Sequence, residues 1–334
     1  MLIALTSAKG APGTTTSALA LALSWPRPVL LADLDPRGGD LAWSYGQGRD
    51  LEGRGLLSLH VAARHQPMAS AVWSQVVTLA PTCWLLPGLD ESRHAGTMDW
   101  AGLARALGGL DVDVIADCGA LPAVKPPADV WTTADLAVLV LRPTLPAVHS
   151  AQGVAETVRS DLMNSGLGAD RLVSVIVGPG RPYSVGEVTA AMGTSAPVLG
   201  ALPWDDAAAA VLNGLRDRPR RFSAAPLMAK AGKLALELGG AALDHAQPVG
   251  RGAGAMTRGA FGPAARLAGS PTPSGTAPLR PGPAVVLPTS APPAITSTPW
   301  ASPTAPSHPG LAAETGSNMS AAGNGGASPG LVHR

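Results

Sequence analysis

The residues best placed for chemistry stand near the start of the chain. Ser7-Ala8-Lys9-Gly10-Ala11-Pro12-Gly13-Thr14-Thr15-Thr16 joins an apolar run to an Ala/Leu-rich stretch. Gly10 and Gly13 let backbone N–H groups approach an anion closely. A helix starting near Thr14 then turns its positive end to the same place. The hydroxyls of Thr14, Thr15 and Thr16 stand where one can ligate Mg²⁺ beside bound phosphates. A Gly-rich strand-to-helix turn that binds nothing has the same outline. The common phosphate-loop pattern G-x-x-x-x-G-K-[ST] also fails twice, at Ala8 and Thr14, so the loop alone does not choose between the two. Lys9 does: it is one of only four lysines against 20 arginines, and it falls inside this loop. Farther on, Asp33 and Asp35 close a second apolar run, and at a strand end two such carboxylates face one side. Asp117 closes a third run.

Elements must position these groups, and the apolar pattern supplies them. Strands are expected at Leu2–Thr6, Val29–Asp33, Cys83–Leu86, Val112–Asp117, Leu136–Leu141, Leu172–Val177 and Val198–Leu202. Helices are expected at Thr14–Leu23, Trp100–Leu107, Ala147–Ser160, Val185–Ala191 and Asp205–Gly214. Near-continuous Val/Ile/Leu strands separated by helices predict an α/β fold, a mostly parallel sheet covered on both faces. Ligands gather at the carboxyl ends of strands in such sheets, where the polar residues above lie. A further periodic stretch with Leu227, Ala231, Leu234 and Leu238 reads as a last helix packed on the sheet.

Composition limits the remaining possibilities. Lys and Arg total 24 against 23 Asp and Glu, so no global field draws the chain to nucleic acid or membrane. Two cysteines cannot build a disulfide framework, and no apolar run approaches the ~20 residues of a membrane span. The N-terminus lacks a charged leader region. The expectation is a cytoplasmic protein with no integral membrane segment. After Gln247 the composition shifts to Pro, Ala, Ser, Thr and Gly, with Glu314 the sole acidic residue and no lysine. Such a segment buries too little apolar surface to offset its ordering entropy. Residues 1–247 are therefore read as one domain and 248–334 as a disordered tail, either a spacer or a Pro-rich docking segment.

The loop "KGAPGTTT" resembles the deviant Walker A motif K-G-G-x-G-K-T-T of the ParA/MinD family of P-loop ATPases. Lys9 matches the family's signature lysine, Gly10 and Gly13 match two glycines, and Thr15 matches the Mg²⁺-binding threonine. Ala11 replaces a glycine, and Thr14 replaces the usual loop lysine. "VLLADLDPRGGDLAW" resembles the V-L-L-x-D-x-D-P-Q-G stretch after the family's second strand, and "VDVIADCGA" its Walker B strand. "APVLGALPWDD" resembles the V-L-G-x-I-P-x-D ending near the adenine. The similarity spans roughly residues 1–245.

The resemblance implies a P-loop NTPase-like fold binding ATP and Mg²⁺. Lys9, Gly10, Ala11, Pro12, Gly13, Thr14, Thr15 and Thr16 would cradle the phosphates, with Gly119 at the γ-phosphate switch and Pro203 near the base. Thr15, Asp33 and Asp117 would hold the metal, and Asp35 the attacking water, although Asp33 and Asp35 are not firmly told apart. Lys9 would reach the phosphates across a nucleotide-dependent homodimer. Gly178-Pro179 stands where the family commonly has a base-reading Asn-Arg. Removing one preorganised donor costs ~10²- to 10³-fold in rate, so Thr14 points to slow hydrolysis. The implied function is a switch that positions or regulates a larger assembly through a protein partner, in chromosome or plasmid partitioning or in pilus or secretion machinery. A non-catalytic scaffold that recruits partners stays open beside it.

Other candidates carry less. Arg216, Arg218, Arg220 and Arg221 read as a solvated patch or as a surface for nonspecific DNA. His60 and His65 have poor spacing for a metal, and Cys118 reads as a packing residue.

Overall fold

Strands of unbroken Val, Leu, Ile and Ala need cover on both faces, and the computed structural model of this chain provides it. It describes residues 1–8, 13–48, 51–121 and 127–246. In chain order the elements are β1 (Leu2–Ser7), α1 (Thr14–Leu23), β2 (Val29–Asp33), α2 (Leu56–Ala62), α3 (Met68–Gln75), β3 (Val77–Ala80) and β4 (Cys83–Leu86). They continue with α4 (Trp100–Gly108), β5 (Asp113–Ala120), α5 (Ala128–Trp131), β6 (Leu136–Leu141) and α6 (Leu145–Asn164). The last are β7 (Leu172–Val177), α7 (Val185–Met192), β8 (Val198–Leu202), α8 (Asp206–Leu212) and α9 (Pro226–His245). The strands form one sheet in the order β3-β4-β2-β5-β1-β6-β7-β8. Only β3 runs antiparallel, against β4.

Alternation along each strand divides the core in two. Leu2 and Ala4 of β1 join a cluster covered by α2–α7, while Ile3 and Leu5 join another covered by α1, α8 and α9. The last helix buries Leu227, Ala231, Leu234 and Leu238 as its spacing predicts. It comes so close to β8 that a Cβ on Gly200 would lie 2.7 Å from a Leu234 methyl. Local signals fix the helix starts: Asp99, Thr144 and Asp205 cap α4, α6 and α8, and Ser184 with Glu187 forms a reciprocal capping box on α7.

The structure corrects the expected strands in two places. The edge strand β3 was not expected. It is a four-residue Val-Thr-Leu-Ala run directly after a helix, too short for periodicity to reveal. β5 runs three residues past Asp117. Leu5 pairs with Asp117 but Ser7 with Ala120, so β5 carries one extra residue, a bulge beside β1. The boundary at Gln247 lies outside the described residues; α9 ends at His245.

Candidate functional site

The site gathers where β1, β2 and β5 end, at the start of α1. Gly13 adopts a left-handed conformation (φ 84°) and opens α1 with no side chain capping it. The first-turn N–H groups therefore remain available to an anion. Thr14 is buried, and neither its hydroxyl nor that of Ser7 at the end of β1 finds a hydrogen-bond partner among the described residues. Buried polar atoms left in this way ask for a ligand. Lys9, Gly10, Ala11 and Pro12 lie outside the described residues.

Three carboxylates gather at these strand ends. Asp33 and Asp117 are register partners on the adjacent strands β2 and β5. Both are buried, Asp117 completely. Asp117 accepts the Gly119 N–H at 3.0 Å, and its other oxygen, Oδ2, is unpartnered. Burial pushes its carboxyl up to about 6; the Asp35 charge adds to this, while the Thr15 hydroxyl, the Gly119 N–H and Arg37 oppose it. Asp33 is raised well above the usual carboxylate range, first by burial and then by the Asp117 charge, with the Leu41 N–H at 3.3 Å holding it down. Thr15 thus acts on Asp117 from α1.

Asp35 is placed differently from the expectation. β2 ends at Asp33, so strand alternation does not carry Asp35 to the same side; a turn does, closed by the Gly38 N–H to the Asp35 carbonyl at 3.2 Å. Its carboxylate lies against Gly119, whose left-handed φ of 68° leaves no space for a Cβ beside it. On its other side stands Arg37, where the resembled motif has glutamine. The Arg37 Nη2 reaches Asp35 Oδ2 at 2.5 Å, and its Nε donates to both oxygens. Hydrogen bonding to Asp35 raises the guanidinium above its ordinary value. Behind Asp33, the backbones of Gly39 and Gly88 meet; a Cβ on Gly39 would sit 2.7 Å from the Gly88 Cα.

A second part of the site lies at the ends of β7 and β8. A cavity of about 260 Å³ runs from Thr16 and Ser17 of α1 to Pro203, Trp204, Arg142 and Asn213. Pro203 lines this cavity. The neighbouring indole of Trp204 was not expected to matter. The Arg142 guanidinium lies 4.3 Å over its ring, and its N–H donates to Asp206 at 2.8 Å. Gly178 turns with φ 76°, and a Cβ there would lie 3.3 Å from the Trp204 ring, so this glycine leaves room for the indole. The sequence held the signal in "PWDD", a large aromatic between the proline and the capping Asp205.

The remaining candidates separate. Arg216, Arg218, Arg220 and Arg221 are all exposed between α8 and α9, and Arg218 reaches the Tyr45 hydroxyl at 3.4 Å. Cys118 is fully buried, its thiol pushed well up by burial, which removes it as a nucleophile. His65 lies beyond the end of α2, away from the helix that carries His60. The described residues contain no group of three or more His, Cys, Asp or Glu able to hold a metal. Mg²⁺ needs no such group, since phosphate oxygens and waters fill most of its shell. Thr15 and the unpartnered oxygen of Asp117 fit that mode. None of the described helices is long and apolar enough to cross a membrane.

No protein-family model and no curated protein matches the chain. Solved structures do. A ParA family ATPase from Chlorobium tepidum TLS superposes with a TM-score of 0.56 at 16% identity, covering 70% of this chain and 98% of that one. The septum site-determining protein MinD from Pyrococcus horikoshii OT3, complexed with Mg-ADP, gives 0.56 at 21% identity over 74% and 98%. A putative plasmid partition protein from Borrelia burgdorferi B31, bound to AMPPNP, gives 0.53 at 16% identity over 73% and 98%. The eight-stranded, mostly parallel sheet flanked by helices is the fold of ParA and MinD ATPases.

Proposed function

We propose that this chain is a ParA/MinD-like switch that binds ATP with Mg²⁺, dimerises when loaded, hydrolyses slowly, and positions or regulates a larger assembly through a protein partner. One observation carries the reading. An uncapped helix start, the orphaned hydroxyls of Ser7 and Thr14, and the unpartnered Asp117 oxygen lie together where β1 and β5 end at the start of α1. The Mg-ADP and AMPPNP bound to two proteins of this fold support it.

In this reading the N–H groups of residues 10–16 and the Lys9 ammonium take the phosphates, while the cavity lined by Pro203 and Trp204 takes the base. Thr15, Asp33 and Asp117 hold Mg²⁺, which neutralises phosphate charge. Asp35 orients the attacking water, and Gly119, at the γ-phosphate switch, leaves room for the Asp35 carboxylate. Thr14 offers a hydroxyl where the resembled motif has an ammonium, which slows turnover more than it weakens binding. Lys9 acts across the dimer. The exposed Arg216, Arg218, Arg220 and Arg221 offer a surface to nonspecific DNA, and residues 248–334 form a separate tail.

The test is equilibrium binding and turnover of labelled ATP with Mg²⁺, with light scattering for the dimer. Binding, slow turnover and ATP-dependent doubling of mass are expected. Binding without turnover would instead favour the scaffold reading, which the Thr14 replacement already supports. Absence of binding would remove the ATP switch and leave only the scaffold reading.

A further inference from the structure

Of the three carboxylates, Asp33 accepts from the Leu41 N–H and Asp117 from the Gly119 N–H, with the Thr15 hydroxyl of α1 also acting on Asp117. Those partners are fixed by the fold. Asp35 is held by a side chain. The Arg37 Nε donates to its two oxygens at 3.0 and 3.2 Å, Nη2 donates to Oδ2, and the Arg37 backbone N–H adds a bond at 2.8 Å. Among the described residues the Asp35 carboxylate accepts from Arg37 alone. Gly119 blocks retreat on the other side. Asp35 is therefore clamped, and only one jaw of the clamp can move.

That jaw has room to move. The Arg37 side chain is 54% exposed, against 11% for Asp35. It borders an open cavity of about 670 Å³ that Asp40 and Asp90 also line, giving a released guanidinium a second acidic resting place. Ion pairs of this exposure are weakened by salt and by competing anions. A planar fork also holds a carboxylate in one orientation. A carboxylate whose oxygens are engaged in this way cannot at the same time accept hydrogen bonds from a water along those directions.

We propose that Arg37 is a latch on Asp35: closed, it keeps the carboxylate from orienting water; open, with the guanidinium released toward Asp40 and Asp90, it permits hydrolysis. Arg37 is a positioning residue here, and it governs turnover rather than nucleotide affinity. The inference rests on the nucleotide-binding reading above and deepens it.

Arg37→Gln, which restores the residue of the resembled motif, removes the ion pair. The experiment measures MgATP affinity with a fluorescent analogue, single-turnover hydrolysis across a salt series, and exchange of the Arg37 Nε proton by NMR. Affinity should stay within about threefold while hydrolysis rises about tenfold, as expected when a reacting group is freed rather than a binding group lost. Rising salt should accelerate the wild type and leave the variant unchanged. Arg37→Lys keeps the charge without the fork and should fall between them. In the wild type the Nε proton should be protected without nucleotide and exchange faster with it. Unchanged hydrolysis in the variant, or an Nε proton protected equally in both states, would overturn the latch. Slower hydrolysis would overturn it too, and make Arg37 the cation that Thr14 fails to supply. If neither protein binds MgATP while both melt cooperatively, the nucleotide reading itself fails and takes the latch with it.

Discussion

The two parts of the candidate site are built to different tolerances. On the phosphate side, Asp33 and Asp117 are buried and paired by register, and the glycines around them leave no space for a Cβ. On the base side, Trp204 is 39% exposed, with an arginine guanidinium 4.3 Å over its ring and a glycine beside it whose Cβ would press at 3.3 Å. Charge placement near a metal depends steeply on distance and dielectric, so the first region has little freedom to vary. An aromatic surface accepts many neighbours, so the second can be rebuilt from different residues. The sequence follows this division. Asp33, Asp35 and Asp117 fall in stretches that resemble the family's motifs, while Gly178 stands where the resembled pattern has Asn-Arg.

Two glycines with similar backbone angles should break or sharpen that contrast most strongly. Gly119→Ala places a Cβ on the Asp35 carboxylate at φ 68°. Strain of ~1–3 kcal/mol is joined there by a collision that Asp35 can relieve only by leaving Arg37. Melting should fall by about 8 °C or more, and stabilisation by MgATP should vanish. Gly178→Ala at φ 76° meets only the edge of an indole. It should cost ~1–2 kcal/mol and weaken nucleotide binding without abolishing it. Equal effects in calorimetry would mean the two regions share one tolerance.

Thr14→Lys adds back the cis cation and should raise hydrolysis about tenfold or more, with little change in base preference. Trp204→Ala should do the reverse, weakening affinity about tenfold through lost stacking while the rate on bound nucleotide holds. Titration and single-turnover kinetics separate these outcomes.

A smaller effect follows from the raised carboxyls. Asp117 is pushed up to about 6, above its unfolded value of ~3.9. Such a group favours the folded state fully below the unfolded value, and the contribution is lost as pH rises through about 6. Nucleotide-free protein should gain stability from Asp117 as pH falls from about 7 to about 4, reaching about 1 kcal/mol by pH ~5 and approaching ~3 kcal/mol only below ~3.9. Thermal melts should show a smaller pH difference in Asp117→Asn. The smallest effect is expected from removing residues 248–334, which should leave melting and both halves of the site nearly unchanged.

What the sequence made legible follows the same physics. Parallel strands announce themselves by continuous apolar runs, so β1, β2 and β4–β8 were all found. β3 escaped because four antiparallel edge residues after a helix carry no period. Strand order cannot be read from composition, and it is this order that makes Asp33 and Asp117 neighbours. The bulge in β5 depends on pairing with β1, so Asp117 was expected at a strand end rather than inside the strand. Arg37 was visible as a departure from the resembled motif, but its grip on Asp35 comes from the turn that follows β2. Trp204 became significant only once Gly178 and Arg142 were seen to face it.

The contact between Gly39 and Gly88 has a dynamic consequence. Two loops, one after β2 and one after β4, touch there through main chain alone. A wall without side chains has no rotamers to change, so neither loop can yield locally when something enters beside Asp33. The two must shift together or stay fixed. Relaxation-dispersion NMR should then report one shared exchange rate for residues 38–41 and 87–90. Any substitution that gives the wall a side chain would uncouple them.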